Sequence, residues 1–129
     1  MANQRRGEQE VDSSGEIRVD VPSSARIWNY WMGGKDYYPI DRTAGDAALQ
    51  IYDMRPMARD SRRFLVRVVR FLAAEAGIRQ FLDVGCGLPA NHGQNTHQIA
   101  QAITPDSRIV YVDNDPVVLA HSRALLTST

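Results

Sequence analysis

Beyond Gly77 the apolar period of the chain switches from helical to extended. The first extended run, Phe81-Leu82-Asp83-Val84, ends directly in Gly85-Cys86-Gly87. A polar loop follows as far as Asn95. Asn95 and Gln98 have the spacing of a capping box, opening a helix that carries Ile99 and Ile103. Thr104-Pro105-Asp106-Ser107 breaks that helix. Ile109-Val110-Tyr111-Val112 forms a second apolar run, closed by Asp113. Asp115-Pro116 then supplies a cap and a first-turn proline for a last helix over about 116–126. Strands alternating with helices predict a parallel sheet joined by a right-handed crossover. Parallel strands are normally covered on both faces and flanked by several neighbours, so two of them make a poor core. The expectation is an incomplete nucleotide-binding half-fold, a fragment or truncated product.

Ahead of this unit the pattern is helical. Residues 1–20 carry few apolar residues and no usable period, and read as a disordered tail. From Val21 onward a serine, Ser23 or Ser24, can cap a helix with Ala25, Trp28, Trp31 and Met32 on one side. Gly33-Gly34 stops that helix. Asp41 looks like the cap of a second helix whose apolar face is Ala44, Ala47, Ala48, Ile51 and Tyr52. A third begins near Pro56 or Asp60, with Phe64, Leu65, Val68, Phe71 and Leu72 as its buried stripe. Arg63, Arg67 and Arg70 share another, solvated face. The organisation is thus a tail over 1–20, a helical cap over 21–76 and a Rossmann-like half-domain over 77–129.

Composition removes several function classes. Fifteen basic residues balance fifteen acidic ones, which gives no electrostatic ground for a nucleic-acid or anionic-membrane binder. No apolar run approaches the roughly 18 residues that span a bilayer. Residues 1–20 are polar and mixed in charge and do not read as a secretory signal. The single cysteine, Cys86, excludes an internal disulfide and fits a reducing, cytoplasmic setting. Cys86, His92 and His97 match no standard zinc spacing and lack further ligands, so no metal site is expected. Cys86 reads more simply as a small residue in a glycine turn than as a nucleophile.

The chemistry-bearing constellation is Asp83-Val84-Gly85-Cys86-Gly87 with Asp113 at the end of the next strand. Glycines at 85 and 87 let the backbone turn tightly and approach a ligand with no Cβ in the way. Parallel strands bring their carboxyl ends to one crevice, the usual ligand position in open α/β folds. There Asp113 can accept both hydroxyl hydrogens of a ribose. Two cofactors remain open on this pattern. Gly85-Cys86-Gly87-Leu88-Pro89-Ala90 formally satisfies the dinucleotide fingerprint, which would make the protein a nicotinamide-dependent oxidoreductase. That fingerprint needs its helix to begin at once under the pyrophosphate, whereas Pro89 and Asn91-His92-Gly93-Gln94 intervene here. The departure favours a ligand without a diphosphate, such as S-adenosylmethionine, whose ammonium group suits an acid at position 83. The plainest alternative is a glycine turn with Asp113 and Asp115 as helix caps.

Longer stretches carry a resemblance. They are Pro22-Ser23-Ser24-Ala25-Arg26-Ile27, Gly33-Gly34-Lys35-Asp36, Asp41-Arg42, Arg63-Phe64-Leu65, the run from Gly77 to Pro89, and the run from Val110 to Leu119. Over these residues the chain resembles an actinobacterial family of S-adenosylmethionine-dependent methyltransferases, formerly known as a domain of unknown function. The resemblance implies a partial class I methyltransferase (Rossmann-like) α/β fold: an N-terminal helical cap followed by β-α-β-α. It implies S-adenosyl-L-methionine as cofactor, bound at Asp83, Gly85, Gly87 and Asp113, with Asn114 taken beside them. It implies an acceptor site outside these residues, so neither acceptor nor catalytic residues are assigned. Gly33-Gly34-Lys35-Asp36 resembles part of a cap over the cofactor. A truncated, non-catalytic remnant that binds a nucleoside ligand or a partner is the alternative, and self-association through an exposed sheet edge goes with it. Trp28 and Trp31 read as packing residues of the cap, or as an aromatic face for the sulfonium.

Overall fold

The computed structural model describes residues 16–90 and 94–125. Its elements are α1 (Ser24–Trp31), α2 (Pro39–Leu49), α3 (Arg55–Ala74), β1 (Gln80–Val84), α4 (Thr96–Ile103), β2 (Arg108–Val112) and α5 (Pro116–Leu125). The strands lie parallel, with Gln80 opposite Arg108 and Val84 opposite Val112. Three helices followed by β-α-β-α is the order expected from the sequence. Of the expected tail, residues 1–15 lie outside the described residues.

The element ends follow local chemistry. Ser23 is extended and precedes α1, its side chain accepting from the Arg26 N–H. Gly33 takes a φ of 80° just past that helix, a conformation that favours glycine. Asn95 opens α4, its N–H donating to the Gln98 side chain at 3.2 Å. Asp115 caps α5 by accepting from the Val117 N–H at 2.9 Å, with Pro116 in the first turn.

Two helices differ from expectation. α2 starts at Pro39, so Asp41 lies inside its first turn and is not its cap. The helix ends at Leu49, leaving Ile51 and Tyr52 exposed; its buried face is Asp41 and Gly45. Glycine is needed at that contact, because a Cβ at position 45 would stand 2.8 Å from the Tyr30 ring. In α3 the buried residues are Ala58, Val69 and Ala73, while Phe64 and Phe71 are exposed. Its apolar residues Phe64, Leu65, Val66, Val68, Val69, Phe71 and Leu72 spread wider than one stripe, so periodicity alone offers two choices of inward line. Packing selects the one on which Val69 meets Ile99 and Ala100 of α4, with Leu65, Val66, Phe81 and Ile109 around them.

A buried ion pair joins α1 to α2. Arg26 Nε lies 2.7 Å from Asp41 Oδ2, and both side chains are almost wholly out of solvent. The Asp41 carboxylate also accepts from the Ser23 N–H at 2.9 Å and the Tyr38 N–H at 2.8 Å. Arg26 donates in addition to the carbonyls of Val21 and Arg18, at 2.7 and 3.2 Å, and lies over the Tyr38 ring. Both Asp41 oxygens and the Nε and Nη2 groups of Arg26 are therefore engaged, and such added hydrogen bonds are the condition under which a buried pair is tolerated.

Among the described residues the sheet is covered on one face only. Phe81, Asp83, Ile109 and Tyr111 are half-buried, whereas Leu82, Val84, Val110 and Val112 on the other face are 66, 70, 59 and 43% exposed. Contiguous exposed apolar surface promotes association. Light scattering on the 129-residue chain is expected to show concentration-dependent association. Replacing Leu82 and Val110 together by lysine is expected to shift it towards monomer without lowering its unfolding midpoint. An unchanged particle size in that variant would place the association elsewhere.

Candidate cofactor cleft

At the carboxyl ends of the strands the chain makes a sharp turn held by backbone and one side chain. The N–H groups of Gly85 and Cys86 donate to the Val112 carbonyl at 2.7 and 3.2 Å. The Gly87 N–H donates to Asp113 Oδ2 at 2.9 Å, and Asp113 Oδ1 accepts from the Asp115 N–H at 2.9 Å. Gly85 and Gly87 both sit at a φ of 68°, and a Cβ on either would meet nothing within 4 Å. Their requirement for glycine is thus conformational, and the space beside them is open.

That space is a cleft of about 370 Å³. Its floor is Gly85, Cys86, Gly87 and Leu88; one wall is Asp113, Asn114 and Asp115. The other wall is Ser24, Ala25, Trp28 and Asn29 of α1 and Met32 just past its end, with Arg62 of α3. The cleft is anchored by Leu88, Val117 and Val118, which form a buried cluster with Ala25 and Cys86 packed on it. Asp115 Oδ2 accepts from the Ser23 hydroxyl and ties the start of α1 to the start of α5. A second cleft of about 350 Å³ adjoins the first at Asn29, Met32 and Arg62, and continues past Gly33, Gly34, Arg59 and Arg63 to Pro89.

Of the residues expected to bind cofactor, Gly85, Gly87, Asp113 and Asn114 line the first cleft together. Asp83 does not line it; its Oδ2 accepts from the Thr96 hydroxyl at 2.7 Å. Asp113 and Asp115 do serve as local caps, the first for the glycine turn and the second for α5. Gly33 and Gly34 border the adjoining cleft, folded onto α1 by Asn29, whose side chain accepts from the Asp36 N–H at 3.0 Å. The tryptophan rings meet edge to face, their centroids 6.0 Å apart; Trp31 also packs on α2, its ring N–H near the Gly45 carbonyl, while Trp28 lines the cleft.

Burial pushes the Cys86 thiol up to about 11, with the Asp113 and Asp83 carboxylates adding to the effect. It therefore stays protonated at neutral pH, the opposite of an activated nucleophile. His97 is engaged by Tyr111, whose hydroxyl accepts from the His97 N–H and shares a hydrogen bond with its Nδ1, both at 2.8 Å. Burial also lowers the His97 pKa. His97 thus packs at the α4–β2 contact. His92 lies outside the described residues. Among the described residues, no three His, Cys, Asp or Glu side chains gather as a metal would require, and no helix is long and apolar enough to cross a membrane.

Sequence reasoning missed Arg62. Its signal was available: it lies on the line of Ala58, Leu65, Val69 and Ala73, so an arginine sits on the inward stripe of α3. It borders both clefts.

Comparison with known proteins bears on this arrangement. A family model described as S-adenosyl methyltransferase matches residues 10–129. A solved structure of a DUF574 family protein from Streptomyces avermitilis is 52% identical, with a TM-score of 0.79 over 87% of this chain and 43% of that one. A second, of a candidate methyltransferase from Thermobifida fusca, is 51% identical, with a TM-score of 0.78 over 84% of this chain and 41% of that one. The chain thus spans less than half the length of either solved relative. None of the curated proteins matches it.

Proposed function

The chain belongs to the S-adenosyl methyltransferase family, and on that premise we propose that its cleft holds S-adenosylmethionine for methyl transfer to an acceptor. The observation that carries this reading is the convergence of the Gly85-Cys86-Gly87 turn and Asp113 on one cleft. Its volume of about 370 Å³ falls within the size range of small-molecule sites. The residues fit the cofactor. Two glycines at positive φ present bare backbone to open space. Each Asp113 oxygen accepts one backbone N–H and keeps acceptor capacity for a ribose hydroxyl. Asn114, beside it, borders the nucleoside end.

The bound cofactor supplies an activated sulfonium methyl. The chain's own contribution is alignment and exclusion of water. The glycine turn admits the ligand closely, Asp113 fixes the ribose, and Trp28 presents an aromatic group on the wall, a surface that attracts cations. A cytoplasmic location accords with the lone cysteine.

A dinucleotide is disfavoured by the position of α4. It begins at Thr96, well beyond Gly87, and buried Leu88 occupies the start of the intervening loop. The helix that follows the turn therefore does not start beside it, as the dinucleotide fingerprint requires for the pyrophosphate. Titration calorimetry is expected to show S-adenosylmethionine and S-adenosylhomocysteine binding in preference to NAD. Tighter binding of NAD would overturn the cofactor assignment.

A further inference from the structure

We propose that Arg62 is the anchor for the α-carboxylate at the amino-acid end of the cofactor, an assignment that rests on the cofactor reading above. Arg62 lies on the wall of the cleft that holds Gly85, Gly87 and Asp113. It makes no hydrogen bond and no ion pair among the described residues, unlike Arg26, Arg55 and Arg79. It is nevertheless half-buried. Burial draws its pKa below the ordinary arginine value, partly offset by the fields of Asp83, Tyr111 and Cys86. A desolvated guanidinium without a partner is costly and is relieved by an anion with hydrogen-bond acceptors.

The cleft's own acids do not fill that role. Asp113 is turned to Gly87 and Asp115, and Asp115 to Val117 and Ser23. Asp83, the acid whose field acts most on Arg62, accepts from Thr96. The pattern is an unpaired cation on one wall of the cleft, with the ribose acceptor Asp113 at the opposite wall. That is the complement of a nucleoside ligand that carries a carboxylate at its far end. The guanidinium fork matches a carboxylate in two parallel hydrogen bonds.

The test compares three ligands by calorimetry on the whole chain: S-adenosylhomocysteine, its decarboxylated analogue, and 5′-methylthioadenosine, which lacks the amino-acid end. Wild type is expected to prefer S-adenosylhomocysteine to the decarboxylated analogue by about tenfold to a hundredfold, the size of a charge-assisted contact. Arg62→Met is expected to bind the two alike, with affinity for 5′-methylthioadenosine unchanged. Arg62→Lys keeps the charge, guards against a folding defect, and is expected to retain part of the preference. An undiminished preference in Arg62→Met, or no preference in wild type that nonetheless binds S-adenosylhomocysteine, would overturn the Arg62 assignment alone. Failure of wild type to bind S-adenosylhomocysteine would overturn the cofactor reading and this one with it.

Discussion

Asp41→Ala is expected to unfold the helical cap, at a cost of about 3–5 kcal/mol, the range for breaking a buried ion pair by removing one partner. The substitution leaves the Arg26 guanidinium buried with no counter-charge. It also leaves the N–H groups of Ser23 and Tyr38 without their acceptor. These donors sit at the starts of α1 and α2, so both helix entries loosen together. Urea unfolding followed by circular dichroism measures the loss. Arg26→Met combined with Asp41→Asn is expected to cost less than Asp41→Ala, because it removes the stranded cation and keeps a side-chain oxygen for one of the two N–H groups. Equal stability of Asp41→Ala and wild type would show that the pair holds nothing together.

The same carboxylate sets an acid limit. Burial alone would raise the Asp41 pKa, but the Arg26 hydrogen bond and the two backbone N–H donors outweigh it and hold the pKa below the ordinary value. A depressed folded-state pKa means that the folded protein binds the proton less readily than the unfolded chain. The stabilisation is therefore complete above the unfolded value of about 3.9 and is lost as pH falls through the lower folded value. Wild type is expected to lose stability below about pH 4. Asp41→Asn, already weakened, is expected to lose less over the same interval.

Parts of this molecule were legible because one local rule fixed each of them. The Asn95–Gln98 pair, the Asp115-Pro116 start and the Gly33 stop each specify a helix end within a few residues. The switch from helical to extended period located both strands. Elements that depend on a partner were not legible. The inward face of α3 is decided by α4, and Phe64 and Phe71 satisfy the helical period as well as Leu65 and Val69 do. The role of Asp41 depends on Arg26, fifteen residues away. An aspartate after Tyr-Pro-Ile reads as a cap when its long-range partner is unseen. In the cleft, glycines and Asp113 were readable from their pattern. Arg62 was hidden in an arginine-rich helix, where neighbouring arginines are solvated.

Asp113→Ala is expected to weaken S-adenosylhomocysteine binding by about tenfold to more than a hundredfold, through two losses that act at one place. The first is the acceptor for the ribose hydroxyls. The second is internal: Asp113 holds the Gly87 N–H and the Asp115 N–H at 2.9 Å each, so its removal frees the turn on which the ligand rests. Leaving such donors unsatisfied costs about 1–3 kcal/mol each when buried. Asp115→Ala is different in kind. It removes the α5 cap, worth about 0.5–2 kcal/mol, and the link from Ser23 that fastens α1 to α5. Its loss should appear mainly as a lower unfolding midpoint, with binding reduced only as far as α1 shifts. Asp113→Asn separates the two contributions of Asp113. It keeps one acceptor oxygen, so the turn is partly preserved while the paired ribose contact is lost. An intermediate affinity is expected, with stability near wild type. Were Asp115→Ala to abolish binding while Asp113→Ala left it intact, the ribose would have to lie against α5 and not against the end of β2.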